Sequence, residues 1–277
     1  MTTLIDRPCT ICGANDHRLL MAEGESGYRE CRPCGAIFTS PMAAHYEDVN
    51  EAAYEAAITR YAAKIDAKLD VNMRTLKPFD KYRQRNTFLE LGCNAGATLV
   101  AAEQLGWQVT GVDISRAATA YAREKRGLNA ITGTLEQAAL PADHFDVIYS
   151  NAVLEHIEHP LQTMQEARRI LRPGGAFFAD TVNWDSYTRR FLGHHWRYLE
   201  PLHHVQLYTR SNVRELARRS GFSVERVWTT GIRLSDHKPG LEYQAPAWLH
   251  ACKGLLSLAT RFTHKGDSIK FLLRKAG

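Results

Sequence analysis

The sequence lacks the two patterns that direct a chain into or across a membrane. It has no run of eighteen consecutive apolar residues, and it does not begin with a basic segment followed by an apolar one. A membrane-spanning helix needs about 20 mostly apolar residues, and a secretory signal needs the second pattern. We therefore expect a cytoplasmic protein without a membrane span. Its 277 residues can form one sizeable core and one additional small module.

Acidic residues are scarce in the last third of the chain. Residues 181–277 contain 16 Lys and Arg against 7 Asp and Glu, whereas residues 1–180 contain 19 against 23. Two interpretations fit this bias: a solvated basic face, or a surface that binds an anionic substrate or partner.

Cysteine is rare outside one pattern. Four of the six cysteines follow Cys-x2-Cys-x18-Cys-x2-Cys, the spacing of a zinc ribbon, and they are Cys9, Cys12, Cys31 and Cys34. Two disulfides are the alternative, which a reducing cytosol disfavours. Four thiolates complete the tetrahedral coordination of Zn²⁺ and leave no position for a substrate. Residues 1–42 are therefore predicted to be a zinc-binding ribbon in which the metal is structural.

Residues 43–83 are predicted to form a helical connector. Aromatic and apolar residues recur at helical spacing from Tyr46 to Met73, and Pro78 ends the pattern. The pattern favours one long amphipathic helix, or two shorter ones, packed on the following domain. Tyr46 or Tyr54 could instead help to close a binding site.

Residues 84–277 alternate between strand-like and helical patterns. The strand-like runs are 87–92, 107–112, 129–132, 145–150, 176–181 and 223–228. The helical patterns between them are 97–105, 115–126, 160–171 and 211–219. This alternation predicts an α/β fold with a doubly wound parallel sheet, whose ligands bind at the carboxyl ends of the strands. Residues 267–274 are predicted to add a final strand, antiparallel beside the sixth.

The first of these strands lacks the Gly-x-Gly-x-x-Gly fingerprint of pyrophosphate-binding loops. Residues 88–96 read Phe-Leu-Glu-Leu-Gly-Cys-Asn-Ala-Gly, and Asp113 follows Gly92 by 21 residues at the end of the next strand. A carboxylate there can accept both hydroxyls of a ribose. The stretch resembles the Glu/Asp-x-Gly-x-Gly-x-Gly signature of class I S-adenosylmethionine-dependent methyltransferases, with Asn94 at the middle glycine. Asn tolerates positive φ, so the turn is expected to survive.

Two later stretches extend the resemblance. Residues 145–160 are similar to the fourth-strand motif of that family, and residues 170–176 to the Pro-Gly-Gly turn before its fifth strand. The resemblance implies a Rossmann-like seven-stranded methyltransferase sheet. The residues it assigns to S-adenosyl-L-methionine are Glu90, Gly92, Asn94, Gly96, Asp113, Ile114, Thr134, Leu135 and Asn151.

Within that set, the resemblance implies that Glu90 lies near the ammonium group of the cofactor, Asp113 at the ribose and Ile114 against the adenine. The family often has an acidic residue where Thr134 stands, and Glu136 could take over its bond to the adenine amino group.

The insert at residues 182–210 is rich in aromatic rings and imidazoles, and it is longer than a simple connection needs. It follows the fifth strand and should project over the ligand-binding edge. Transfer of a methyl group to a hydroxyl requires in-line placement and a base, a role that suits histidine. His204, which resembles a histidine of the family before a helix start, is the first candidate base, followed by His203 and His195. A metal site, a solvated segment or a bracing role are the alternatives.

Two further expectations concern His156 and the last insert. His156 is expected to pack or cap a helix rather than take part in the chemistry. The insert at residues 232–266 contains an apolar helical pattern between about 247 and 262. It could cap the substrate pocket, form a dimer face or simply pack.

These features predict a methyltransferase that acts on an oxygen of a small or medium polar acceptor: a sugar, a carrier-linked saccharide or a natural-product intermediate. An anionic group on the acceptor is a further hypothesis. The alternatives are an RNA methyltransferase that grips RNA with the ribbon, and a cofactor-binding protein without catalysis. Against RNA, the fourth strand lacks the Asn/Asp-Pro-Pro-aromatic pattern of many base methylators. The ribbon also has few basic residues, namely Arg7, Arg18, Arg29 and Arg32.

Overall fold

The computed structural model describes residues 4–43, 58, 61–63, 65–233 and 251–277. The strands are β1 (Leu4–Ile5), β2 (His17–Glu23), β3 (Ser26–Cys31), β4 (Ile37–Thr39), β5 (Met42–Ala43), β6 (Thr87–Leu91), β7 (Gln108–Asp113), β8 (Ala130–Thr132), β9 (Phe145–Asn151), β10 (Leu171–Val182), β11 (Gln206–Leu207), β12 (Phe222–Thr230) and β13 (Ser268–Lys275). The α-helices are α1 (Leu69–Leu76), α2 (Ala97–Gln104), α3 (Arg116–Arg126), α4 (Pro160–Ile170), α5 (Tyr187–Leu192), α6 (Arg210–Arg219) and α7 (Lys253–Thr263). No helix in these described ranges has the length and apolar character that crossing a membrane requires.

The central sheet has seven strands in the order β12-β13-β10-β9-β6-β7-β8. Neighbours from β10 to β8 are parallel, and β13 is antiparallel to both β10 and β12. All five residues of β6 are buried, as expected for a strand in the middle of a parallel sheet that helices cover on both faces. The predicted Rossmann-like α/β architecture and its final antiparallel strand are confirmed.

The fifth strand is longer in the structure than the apolar run, residues 176–181, from which it was predicted. Strand β10 begins at Leu171, and its register with β9 shifts between Leu171 and Ala176. Pro173 cannot donate to a strand ladder, and Gly174 has φ +73°. Residues 171–175 therefore read as a turn in the sequence although the strand continues through them.

The described part of the predicted connector packs on the central sheet. It contains helix α1 between two short 3-10 helices, Asp66–Lys68 and Lys77–Tyr82. Leu76, Phe79 and Tyr82 belong to a buried cluster that continues into β6 and β9. Tyr46 and Tyr54 lie outside the described residues.

The N-terminal ribbon shares a sheet with the second half of the chain. Its strands β2, β3 and β4 form an antiparallel sheet, and β11, from the insert at residues 182–210, extends that sheet beside β4. Cys9, Ile11 and Phe38 belong to the same buried cluster as Leu89 of β6. The ribbon is thus packed against the central sheet through a common core.

Thr209 begins helix α6 by a capping box. Its hydroxyl accepts from the N–H of Asn212, and the Asn212 side chain accepts from the N–H of Thr209. This capping fixes the direction of the chain at the end of the insert.

The apolar helix predicted in the last insert is described only as α7, which leaves Leu255 and Phe262 exposed. The part of that insert at residues 234–250 is outside the described ranges.

Candidate active site

The turn after β6 is tight enough that only glycine fits at its two ends. Gly92 has φ +77°, and a Cβ added there would lie 2.1 Å from Cγ2 of Val153. Gly96 has φ +89°, and its Cβ would lie 2.4 Å from Cδ1 of Leu128. Asn94 has φ +48°, the left-handed conformation that asparagine tolerates better than other non-glycine residues. The turn therefore keeps its shape although the middle glycine of the family signature is absent.

Asp113, at the end of β7, is held by two backbone N–H groups. Its Oδ2 accepts from the N–H of Asn94 at 2.7 Å, and its Oδ1 accepts from the N–H of Ser115 at 2.9 Å. Burial raises the pKa of this carboxyl. The side chain is fixed between the glycine turn and the start of α3, and each oxygen has a second lone pair for a ligand hydroxyl.

Glu90 is a buried carboxyl with an unused acceptor. Only 5% of the residue is exposed, and Oε2 has no hydrogen-bond partner within the described part of the chain. Its pKa is raised to about 8, mainly by burial and also by the negative charge of Asp113, although a hydrogen bond from Thr98 acts in the opposite direction. A buried acceptor without a partner is costly, so the position suits a ligand that brings a cationic donor.

One cavity of about 820 Å³ joins these groups. Eight of the nine predicted cofactor residues line it, and the ninth, Gly96, lies between the lining residues Ala95 and Ala97. The eight are Glu90, Gly92, Asn94, Asp113, Ile114, Thr134, Leu135 and Asn151. They lie in the last residues of four neighbouring parallel strands or in the turns that follow them, at the same edge of the sheet.

The turn after β8 is organised by a residue that the sequence analysis did not single out. Gln137 accepts through Oε1 from the N–H of Thr134 at 2.8 Å, and its own N–H donates to the Thr134 hydroxyl at 3.3 Å. Glu136, proposed above as a substitute for an acidic residue at position 134, also lines the cavity. One of its carboxylate oxygens accepts from the hydroxyl of Thr163 at 2.7 Å. The turn is therefore braced from within and from α4.

A pair of histidines also lines the cavity. His156 and His204 both line it, with ring centroids 5.0 Å apart. His204 Nδ1 bonds to the carbonyl of Tyr198 at 3.0 Å, and His156 Nδ1 bonds to the carbonyl of His203 at 2.8 Å. A carbonyl oxygen only accepts, so each Nδ1 carries the hydrogen, and in the neutral ring of His204 the other lone pair lies on Nε2. Burial and the neighbouring His156 lower the pKa of His204 to about 4.

Of the three predicted base candidates, only His204 reaches the cavity. His203 and His195 are not among its lining residues, and His195 ends a short 3-10 helix, Gly193–His195. Conversely, His156, Arg197 and Tyr198 line the cavity without having been assigned to it from the sequence. The pairing of His156 with His204 joins positions 48 apart in the sequence and leaves no signal in its local pattern.

The four ribbon cysteines form a set that fits a tetrahedral metal ion. Their sulfurs all lie within 4.8 Å of one another, and both Cys9–Cys34 and Cys12–Cys31 are 3.4 Å apart. With Zn–S bonds of about 2.3 Å, a regular tetrahedron has S–S edges of about 3.8 Å. The spacing observed is close to that value, and it exceeds a disulfide bond of about 2.05 Å.

A second set of possible metal ligands lies in the cavity itself. Glu155, His156 and His204 each place one ligand atom within 4.8 Å of the other two. Glu155 is buried, and its Oε2 accepts from the Thr181 hydroxyl at 2.6 Å. The same geometry allows a neutral imidazole beside a carboxylate, which is the arrangement of a proton acceptor. Removal of metal by a chelator therefore distinguishes a metal site from a proton acceptor.

A family model described as a methyltransferase domain matches residues 51–227. The ubiquinone biosynthesis O-methyltransferase of Parvibaculum lavamentivorans is 30% identical over 125 residues, which cover 43% of this chain and 48% of that protein. The enzyme of the same name from Cereibacter sphaeroides is 28% identical over 169 residues, which cover 57% of this chain and 67% of that protein. The match thus spans about half the length of the first relative and two thirds of the second.

Solved structures show the same fold at low identity. A methyltransferase from Thermotoga maritima that depends on S-adenosylmethionine superposes with a TM-score of 0.55 and 19% identity, covering 80% of this chain and 98% of that one. Another from Archaeoglobus fulgidus gives a TM-score of 0.55 and 14% identity, covering 78% and 99%.

Proposed function

Because this chain belongs to the class I S-adenosylmethionine-dependent methyltransferases, we propose that it methylates an oxygen atom of a small or medium polar acceptor. A sugar, a carrier-linked saccharide or a natural-product intermediate fits this description. The observation that carries the proposal is that one cavity is lined by two groups of residues. We call the group with Glu90 and Asp113 the cofactor end and the group with His204 the acceptor end.

The first end suits the cofactor. The unused Oε2 of Glu90 would accept from the ammonium group of S-adenosyl-L-methionine, and Asp113 would accept from the ribose hydroxyls. Ile114 and Leu135 would supply apolar surface for the adenine, and Thr134 a polar group beside it. Asn151 would lie beside the carboxypropyl group or the reacting methyl. When bound, the cofactor supplies a methyl carbon that its sulfonium has already activated.

The second end suits the acceptor. Transfer to a hydroxyl forms a carbon–oxygen bond, breaks the carbon–sulfur bond and releases the hydroxyl proton. In our proposal Nε2 of His204 takes that proton, because Nδ1 is committed to the Tyr198 carbonyl. Its low pKa keeps the imidazole neutral at pH 7 and also makes it a weak base. The nearby Glu155 carboxylate stabilises the imidazolium that forms.

Two observations support the acceptor class. The relatives named above carry the name O-methyltransferase, which supports oxygen as the atom that is methylated. Arg197 lines the cavity beside Tyr198, is exposed, and has no ion-pair partner in the described part of the chain. A guanidinium in that position suits a carboxylate or phosphate on the acceptor.

We further propose that Cys9, Cys12, Cys31 and Cys34 hold a structural Zn²⁺. The near-tetrahedral spacing of their sulfurs supports this assignment. The metal would stabilise strands β2, β3 and β4, whose buried residues share their core with the rest of the chain.

Methyl-labelled S-adenosylmethionine and a fractionated cell extract test the proposal. The purified chain should label the saccharide or small-molecule pool, and Asp113→Ala, which loses the ribose acceptor, should label none. Label confined to RNA would replace the proposal by RNA methylation. Tight binding of the cofactor with no label in any pool would indicate a binding protein without catalysis.

Chelation provides the matched control for the histidine cluster. Treatment with EDTA that strips loosely bound metal but leaves one zinc per chain should not slow transfer. A loss of transfer that Mg²⁺ or Mn²⁺ restores would assign Glu155, His156 and His204 to a catalytic metal instead of a base.

A further inference from the structure

The position of His204 depends on a turn formed by residues 198–204. The N–H groups of His203 and His204 both donate to the carbonyl of Glu200, at 2.8 and 2.7 Å. The His204 ring donates from Nδ1 to the carbonyl of Tyr198 at 3.0 Å. Both the backbone and the ring of His204 are therefore fixed relative to residues 198–200.

The ribbon holds this same turn through the side chain of Tyr28. Tyr28 lies on β3 and is fully buried, with 0% exposed. Its hydroxyl accepts from the N–H of Glu200 at 3.1 Å and donates to the carbonyl of Tyr198 at 3.4 Å. The Tyr198 carbonyl is the acceptor that also orients His204. One hydroxyl thus touches both anchor points of the turn.

The ribbon holds the other side of His204 as well. The N–H of Thr39 donates to the carbonyl of Val205 at 3.0 Å, and Gln206 pairs with Phe38 between β11 and β4. Thr39 is in turn the strand partner of Tyr28. The segment with His204 is therefore clamped between the Tyr28 hydroxyl on one side and the edge of the ribbon sheet on the other.

We propose that Tyr28 is a positioning residue for methyl transfer and that the ribbon acts on the reaction by holding the turn that carries His204. The inference rests on the proposed role of His204 as the base. Tyr28 is not among the residues that line the cavity, so it acts through His204 and not on the acceptor. The ribbon then supports the active-site wall from outside the cavity, besides any structural role of its metal.

Tyr28→Phe tests the proposal because it keeps the ring against Trp184, whose centroid is 5.8 Å away, and removes only the hydroxyl. In the full zinc-loaded chain, hydrogen exchange of the peptide covering residues 199–206 should be at least tenfold faster. Transfer of labelled methyl into the accepting extract pool should slow about tenfold, whereas cofactor affinity and zinc content should stay unchanged. The matched control is Tyr82→Phe, which removes the hydroxyl of another buried tyrosine that donates to Glu225 and does not line the cavity.

A double-mutant cycle distinguishes positioning from general destabilisation. Tyr28→Phe should slow transfer by less than twofold when His204→Ala is already present, because the group it positions is gone. An equal slowing in both backgrounds, or unchanged exchange of residues 199–206, would overturn the inference. If His204→Ala transferred at the normal rate, the proposed base would fail, while the exchange measurement would still decide whether Tyr28 holds the turn.

Discussion

The two ends of the cavity are built in different ways. The cofactor end uses turns that directly follow consecutive strands, with its main carboxylates Glu90 and Asp113 on β6 and β7. The acceptor end combines residues 153–159, a turn of the insert at 197–204, and support from the N-terminal ribbon. Changes at the first end should therefore act on cofactor affinity, whereas changes at the second should act on turnover even when they lie far from the cavity.

Loss of the proposed ribbon metal should have the largest effect. Cys31→Ser removes one of four thiolates, and we expect it to destabilise the ribbon sheet that β11 joins. Methyl transfer should fall by at least about a thousandfold, while cofactor affinity should fall far less. Cys252→Ser, at a partly buried cysteine outside the ribbon, is the control and should be neutral. Equal losses of affinity and turnover would contradict the separation of the two ends.

His204→Ala should slow transfer by about a hundredfold and leave the dissociation constant of the cofactor within about twofold. His195→Ala is the control, since His195 does not line the cavity. Calorimetry with S-adenosyl-L-methionine and transfer of labelled methyl provide the two measurements. An unimpaired His204 variant would remove this residue from the mechanism.

Glu90→Gln should weaken cofactor binding by about tenfold above pH 8, because it removes the charge that faces the ammonium group. Between pH 4.5 and about 8, folded Glu90 keeps a proton that the unfolded chain has lost. Unfolding then releases a proton, so the contribution of Glu90 to the free energy of unfolding falls as pH rises through this window.

The Gln variant should lose this pH dependence, so that without cofactor it melts higher than the wild type at pH 8.5. Thermal melts from pH 5 to 9, with and without S-adenosyl-L-methionine, measure both effects. The exposed Glu103→Gln should behave as the wild type. A Glu90→Gln variant that was less stable without cofactor would show that the carboxylate has a structural partner.

Arg197→Gln should have the smallest effect, a several-fold increase in KM for an anionic acceptor with kcat unchanged. The contrast with Arg190→Gln, in α5 and outside the cavity lining, tests whether the effect is local. Once an acceptor is identified, a neutral analogue should be insensitive to the Arg197 substitution. Equal sensitivity of the two acceptors would argue against an anionic group.

Most of the cofactor end could be read from the sequence. The alternation of strands and helices predicted a parallel sheet. The run ending in Gly92 and the distance to Asp113 predicted that both residues lie at one edge of that sheet, where they are observed. The acceptor end could be predicted only as a region. Of the three candidate bases, His204 lines the cavity, whereas His203 and His195 do not, although all three lie in the same insert.

The sequence by itself determined the Rossmann-like sheet, the position of the cofactor turn and the four-cysteine set, because each depends on periodicity or spacing within a short stretch. Only the tertiary structure decided that His156 meets His204, that β11 completes the ribbon sheet, and that Tyr28 reaches Glu200. These contacts join segments up to 172 positions apart. Long-range packing brings them together, and no local pattern in a single chain encodes which distant segments will pack.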